Sequence, residues 1–367
     1  MPAAIATALL VASCSLLLLR QHATALGLVD RPDARKCHPH PTPVVGGLAI
    51  FVGMVAGLAV SAVGAGKVAR PEVVLVMMGL QFVAAGLLDD LMPLQARMRF
   101  LKQLLFVVWL PLVLPWSVQN LGDLVGLGLV QLGWLALPFT FIAMVALVNG
   151  TNMLDGMDGL AGSCSAIGLA GLAIVGWQAG LVAALPAVLC LLAGLVAFLA
   201  CNLPLGFNGR LRLFMGDAGS NFLGFAMAFL ALWLLEAGGH ERIAPALIVW
   251  LLPLPVFEIF YTPVRRRLAG QAATAADRNH WHHRLLAAGW SAPQVVALYA
   301  GFSLASVLIG LLLNHHAPAW TQGCGFVLWF GLWLLLQRLL TRQKASCRPQ
   351  LSDTLRNPRL VANGGPQ

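Results

Sequence analysis

Charge is what this sequence has least of. Twenty-three Lys and Arg and fourteen Asp and Glu make up 10% of 367 residues, where a soluble domain carries roughly 25%. That scarcity excludes a disordered chain, which stays solvated through polar and charged residues. It equally excludes a soluble globule, whose surface must be covered by charge. No C-x-x-C occurs among Cys14, Cys37, Cys164, Cys190, Cys201, Cys324 and Cys347. Five of them lie in or at the ends of apolar runs and read as small apolar filler. No motif recurs at a period of 20–50 residues, so a solenoid or array is unsupported. What is present is 59% apolar residues and a net charge of +9, with a mean hydropathy of +0.81. Nucleic-acid binding would account for the charge but not for the hydropathy. The composition is that of an all-α polytopic membrane protein, with the basic excess serving as a topology signal.

A bilayer core takes about 20 mostly apolar residues per helix. About eleven transmembrane helices are expected, at 3–19, 44–63, 73–88, 102–119, 130–148, 160–178, 181–203, 221–237, 243–261, 295–313 and 322–340. With the loop after the first run placed in the cytoplasm, alternation leaves only Lys67, Arg70 and Arg242 outside, and the other twenty Lys and Arg inside. The expected topology has its N-terminus outside and its C-terminus cytoplasmic. Arg20 follows the first run and no basic residue precedes it, which reads as an anchor rather than a cleaved signal. The expected organisation is one integral-membrane domain over 1–341 and a polar, disordered cytoplasmic tail over 342–367.

Acids near a span are costly and therefore functional by default. None of the fourteen acids falls at the centre of an expected span, and ten lie on or near the cytoplasmic face. A transporter keeps its carboxylates near the midplane and shows internal span repeats, and neither is visible. A catalytically dead scaffold should have lost some of the acids. The distribution favours a surface site open to a soluble substrate and to an acyl-chain substrate together.

Four segments on that face carry the chemistry. Asp89 and Asp90 end the third run. Adjacent helical residues point about 100° apart, so one can bind or deprotonate while the other orients. Alternatively the pair is a solvated helix end neutralised by Arg97, Arg99 and Lys102. Between the fifth and sixth runs, Asn149, Asn152, Asp155 and Asp158 recur every third residue, with Gly150 and Gly156 between them and Gly159 directly after. Amide and carboxylate oxygens of this kind suit Mg2+, although a polar turn would use some of the same residues. Phe214-Met215-Gly216-Asp217-Ala218-Gly219-Ser220 precedes the eighth run. Asp217 is a further Mg2+ candidate, Phe214 can stack on a base, and free N–H groups there favour phosphate. The bland reading is an ordinary N-cap made by Asp217 or Ser220. Finally, Asp277-Arg278-Asn279-His280-Trp281-His282-His283-Arg284 lies in the longest cytoplasmic loop. Its histidines suggest zinc at first sight. Without a cysteine or an H-E-x-x-H, and beside Arg278 and Arg284, they read better as a diphosphate clamp that no span can bury.

Taken together these residues resemble the polyprenyl-phosphate N-acetylhexosamine-1-phosphate transferases, bacterial membrane enzymes that begin lipid-linked polysaccharides. The resemblance rests on Arg35-Lys36-x-His38 with Pro41-Thr42-Pro43-x-x-Gly46-Gly47, on Asp89-Asp90, and on Asn149-x-x-Asn152-x-x-Asp155-Gly156-x-Asp158-Gly159. It rests equally on Phe214 to Ser220 and on Asp277-Arg278-x-His280-x-His282-His283. The motifs occur in family order over roughly 28–290. The His-x-His-His loop resembles the branch that uses UDP-N-acetylhexosamines. Two departures fall near the sugar-facing loop of similar proteins. Glu258 stands where they usually carry Asp, and Gly270-Gln271-Ala272-Ala273 replaces a Gly-x-Ser-Pro.

The resemblance implies transfer of a sugar-1-phosphate from a UDP-N-acetylhexosamine to undecaprenyl phosphate, giving undecaprenyl-diphospho-sugar and UMP. The step would open O-antigen or related envelope polysaccharide synthesis in the bacterial inner membrane. It implies Mg2+ (or Mn2+) held by Asn152 and Asp217, catalytic Asp89, Asp90, Asp155 and Asp158, and lipid-phosphate contacts from Lys36, Arg97 and Arg99. Asn149, Phe214, Arg278, His280, His282 and His283 would hold the nucleotide-sugar. Direct attack and a covalent aspartyl intermediate both remain open. Membrane lipids are expected partners, a homodimer is possible, and no nucleic acid is expected.

Overall fold

A computed structural model describes residues 1–30, 41–92, 95–204, 211–272 and 279–345. Lys36 and its neighbours Arg35 and His38, Arg278, and the tail beyond Ala345 lie outside these residues. The chain opens with α1 (Pro2–His22), β1 (Val29–Asp30), β2 (Thr42–Pro43), α2 (Gly46–Ala65) and α3 (Arg70–Leu91). Gly66 ends α2 in the left-handed conformation, φ +64°, the usual helix stop for a residue without Cβ. Pro71 and the Glu72 carboxylate, which accepts the Ala69 N–H at 3.1 Å, start α3.

Next come α4 (Ala96–Val108), α5 (Leu110–Val113), β3 (Asn120–Asp123) and β4 (Leu129–Gln131), then a single 3-10 turn leading into α6 (Ala136–Leu154). The helices α7 (Leu160–Gln178), α8 (Leu185–Asn202) and α9 (Gly216–Arg242) follow. The chain closes with α10 (Pro245–Leu251), α11 (Pro253–Leu268), α12 (Trp281–Ala287), α13 (Ala292–His316) and α14 (Trp320–Ala345).

Nine helical stretches among the described residues are long and apolar enough to cross a membrane. The pair α10 and α11, bent by 86°, makes a tenth if counted as one span. Pro253 explains the break: it removes the N–H that would continue α10, and Leu252 before it leaves helical geometry. The expected fourth span, 102–119, is not one helix. Pro111 lies just past α4, and the chain passes through the short α5 into extended backbone. It still runs alongside α9 for most of that helix's length. Arg99 lies 3.4 Å from Asp217 near the start of α9, while the Ser117 N–H donates to Glu236 near its end at 2.9 Å.

The helix at the centre is α9. Every residue from 218 to 234 is buried, as expected of a helix that is apolar all round. Two of its neighbours come to backbone contact at its N-terminal end. A Cβ on Gly47 of α2 would lie 2.2 Å from Gly219 Cα, and one on Gly86 of α3 would lie 2.3 Å from Ala218 Cα. By contrast α14 exposes Val327, Leu328, Leu335 and Leu339, the surface a lipid-facing helix presents.

Candidate active site

The N-terminus of α9 is the point on which the sequence motifs converge. The strand-like segment before it is pinned by the Pro41–Gly47 motif: Phe214 N–H donates to the Pro43 carbonyl at 2.8 Å. Gly46 and Gly47 N–H donate to the Phe214 and Met215 carbonyls, each at 3.0 Å. Gly216 then turns the chain at φ +75°. The helix that follows has no side-chain cap of its own, so neither Asp217 nor Ser220 serves as the N-cap. The acceptor comes from another helix. Asp90 Oδ1 accepts the Asp217 N–H at 2.9 Å and Oδ2 accepts the Ala218 N–H at 3.2 Å. Those N–H groups have no partner within their own helix, and the helix dipole there favours negative charge. The first-turn donors read as a phosphate cradle are thus partly taken by a carboxylate.

Asp89, one residue earlier, faces elsewhere. It is buried, and Arg99 Nε lies 2.6 Å from its Oδ2. The same guanidinium reaches Asp217 Oδ2 at 3.4 Å, so Arg99 bridges the two carboxylates. Asn152, near the C-terminal end of α6, donates through Nδ2 to Asp217 Oδ1 at 2.7 Å and to Ser220 Oγ at 2.9 Å. Four motif residues, Asp89, Asp90, Asn152 and Asp217, are therefore one connected group with Arg99.

Asp155 follows the last turn of α6. Desolvation first, and then repulsion from Asp217, Asp90 and Asp158, hold its carboxyl well above the usual carboxylate range. Asp158 is paired with Arg212 at 2.6 Å, and Arg212 lies over the Phe214 ring at 5.3 Å. Asn149 belongs to a different set. Its Nδ2 donates to Gln103 Oε1 at 2.6 Å, and Gln103 Nε2 donates to Asn221 Oδ1 at 3.3 Å. This amide chain ties α4, which carries Arg99, to α6 and α9. Arg97 is exposed on α4.

The histidine loop departs from its expected setting. His280 and His282 are buried, with exposures of 7% and 1%, and His283 is half-buried. The cause is Trp281 and Leu285 at helical spacing. Both are fully buried in an apolar cluster with Phe257, Tyr299 and Trp333, and they draw their flanking residues inward. Gly156 permits the approach: a Cβ there would lie 2.4 Å from His282 Nε2. Neither His282 ring nitrogen has a partner among the described residues. Burial, and then His283 and His280, push its pKa well below 6.5. Arg284 is turned away from the site and donates to Tyr261 and Gln337. It is a brace for α12 rather than part of a clamp.

Sequence reasoning missed Gln103, Asn202 and the partner of His280. Asn202 Oδ1 accepts the Gly159 N–H at 2.6 Å and its Nδ2 donates to the Leu213 carbonyl at 2.8 Å, joining two motif loops. A lone amide at the end of an apolar run was the available signal.

A polytopic helical membrane protein with an acid-rich, amide-buttressed site at one end of its central helix is the class this geometry defines. Residues 72–235 match glycosyl transferase family 4. The chain is 33% identical over 282 residues, 75% of its length and 74% of the relative's, to a probable undecaprenyl-phosphate N-acetylglucosaminyl 1-phosphate transferase of Bacillus subtilis. It is 28% identical over 318 residues, 86% of its length and 85% of the relative's, to the undecaprenyl-phosphate alpha-N-acetylglucosaminyl 1-phosphate transferase of Salmonella typhi. To the Escherichia coli K12 protein of the same name it is 27% identical over 316 residues, 86% and 84% of the two chains. The chain belongs to glycosyl transferase family 4, among the polyprenyl-phosphate N-acetylhexosamine-1-phosphate transferases. It is a multi-pass membrane enzyme of the phosphoglycosyltransferase type.

Proposed function

We propose that this chain transfers N-acetylhexosamine-1-phosphate from a UDP-N-acetylhexosamine to undecaprenyl phosphate at the cytoplasmic face of the bacterial inner membrane. The products are undecaprenyl-diphospho-sugar and UMP, and the step opens O-antigen or related polysaccharide synthesis. The observation that carries the reading is the Arg99 bridge between buried Asp89 and Asp217. It sets a carboxylate able to act on one substrate beside a carboxylate able to hold a cation for the other.

The donor set suits Mg2+. It offers the Asp217 carboxylate and, once the amide turns its oxygen in place of the Nδ2 that now donates to Asp217, Asn152, and Mg2+ usually takes one or two carboxylates and completes its shell with phosphate and water. The charge balance points the same way. Asp89, Asp90, Asp155, Asp158 and Asp217 crowd a site in which Asp155 is already repelled by three of the others, so an anionic diphosphate needs added positive charge to enter. When bound, the ion would neutralise diphosphate oxygens, the main requirement of phosphoryl transfer.

The protein's own residues do the rest. Asp89 accepts the proton of the lipid phosphate and aims its oxygen at the β-phosphorus of the UDP-sugar. The new P–O bond forms there as the bond to the α-phosphate breaks, and UMP departs. Arg99 balances the charge that moves between the two phosphates. Asp90 keeps Asp217 in place through the α9 backbone. Asp158 with Arg212 and Phe214 lies on the nucleotide side, and His280, His282 and His283 close over the donor.

Purified protein, radiolabelled UDP-N-acetylhexosamines, undecaprenyl phosphate and Mg2+ test the reading. Label extracted into organic solvent, with stoichiometric UMP, is the expected result. No lipid-linked label with any N-acetylhexosamine would sink it. UMP released without lipid would favour the aspartyl intermediate over direct attack.

A further inference from the structure

We propose that Glu258 is a positioning residue for the donor-binding histidine loop, fixing the rotation of the His280 ring through its Nδ1. The proposal rests on the transferase reading above.

Glu258 is 1% exposed on α11. A carboxylate so deeply buried is costly unless hydrogen-bonded and paired. It has both forms of support on one oxygen. Oε2 lies 2.9 Å from His280 Nδ1 and accepts the Thr262 Oγ1–H at 2.8 Å. Its other oxygen has no partner among the described residues. Trp281 and Leu285 seat the loop through apolar contacts and Arg284 braces α12 through Tyr261 and Gln337, whereas the Glu258 contact acts on the His280 ring itself.

The consequence for the imidazole follows from its shape. A carboxylate on Nδ1 requires the proton there and so leaves Nε2, on the opposite edge, as the acceptor in the neutral ring or as a second donor in the charged one. His280 lies parallel to His282, with ring centroids 5.8 Å apart and planes within 5°. His282 in turn packs on Gly156, between Asp155 and Asp158. A ring held at His280 therefore sets the orientation of the stack that borders the acidic loop. The length of the side chain matters as well. Glu258 spans the distance to His280 from a helix that is itself fixed, because a Cβ on Gly150 of α6 would lie 2.4 Å from the Pro255 carbonyl oxygen.

The test is steady-state kinetics on the full-length protein in lipid nanodiscs, titrating each substrate separately, with Glu258→Gln, His280→Ala and the double variant. Glu258→Gln keeps the shape and removes the charge. It should lower kcat/KM for the UDP-N-acetylhexosamine about tenfold, mainly through KM, and leave KM for undecaprenyl phosphate within about twofold. That split separates positioning from general loss of structure, which would move both substrates. If Glu258 acts through His280, adding Glu258→Gln to His280→Ala should change nothing further. Additive losses, or an active wild type beside an equally active Glu258→Gln, overturn the proposal while leaving the transferase reading intact. A wild type that transfers no sugar-phosphate overturns the reading and the proposal with it. Should Glu258→Gln fail to fold, Thr262→Val removes the other hydrogen bond to Oε2. It should give a smaller loss confined to the same substrate, and a loss on the lipid side instead would overturn the assignment.

Discussion

Asp217 has three neighbours that each constrain it: Asn152 on Oδ1, Arg99 near Oδ2, and Asp90 on its backbone N–H. Replacing it with Asn keeps the shape but removes a charge and turns an acceptor toward the Asn152 donor into an ambiguous amide. Asp217→Asn should fold and cut kcat/KM at least about 100-fold, roughly 2.7 kcal/mol, at all Mg2+ concentrations. Near-normal turnover at low Mg2+ would remove Asp217 from the metal. His282 makes a different prediction. Burial depresses its pKa, so the unfolded chain takes up a proton near pH 6.5 that the folded protein resists. Its contribution to stability is complete above that pH and is lost as the pH falls below it. The Tm of the wild type should drop more steeply between about pH 7.5 and about pH 5 than that of His282→Gln. Asp155, whose raised pKa acts with the opposite sign, is present in both proteins and drops out of the difference. Parallel slopes would place His282 in contact with water.

At the scale of helices, the site depends on how closely α2 and α3 approach α9. Gly86 is one such contact, with Ala218 and Asp217 backbone atoms where its Cβ would be. Gly86→Ala forces α3 outward and carries Asp89 and Asp90 with it. Overpacking of this kind costs about 1–3 kcal/mol, so both Tm and kcat should fall, the latter at least about tenfold. Gly64→Ala is the control, since nothing lies within 4 Å of its Cβ position, and it should change neither. Equal behaviour of the two variants in thermal unfolding and turnover would show that the approach of α3 is not limiting. The broken passage through α4 and α5 fits the same logic. A straight apolar helix would need no Gln103, whereas a short amphipathic helix is held by the Asn149–Gln103–Asn221 chain.

For the molecule as a whole, the site and the β3–β4 hairpin lie at opposite ends of α9, marked by Asp217 and by Glu236 with its neighbour Ser117. The distribution of Lys and Arg predicts that the site end is cytoplasmic. In intact cells, with the exposed Cys14 replaced by Ser, an impermeant thiol reagent should label Val125→Cys and not Gln271→Cys. Both positions are exposed on the protein, so labelling of Gln271→Cys alone would invert the topology.

The apolar runs, the scarcity of charge and the order of the polar motifs determined the class of this protein, because a bilayer imposes its length and composition on each segment locally. They also determined which residues are candidates, since an acid beside a span is too costly to be incidental. Tertiary structure decided what those residues do to one another. Asp90 caps a helix that begins 126 residues after it, Arg99 joins two carboxylates from different helices, and Glu258 finds His280 across a loop. It also placed two histidines of a loop that reads as solvated inside the protein, drawn in by the burial of Trp281. Spacing along the chain records which groups share a face of one element. Hydrogen bonds and ion pairs between elements depend on the packing of helices far apart in sequence, and only the folded chain fixes that.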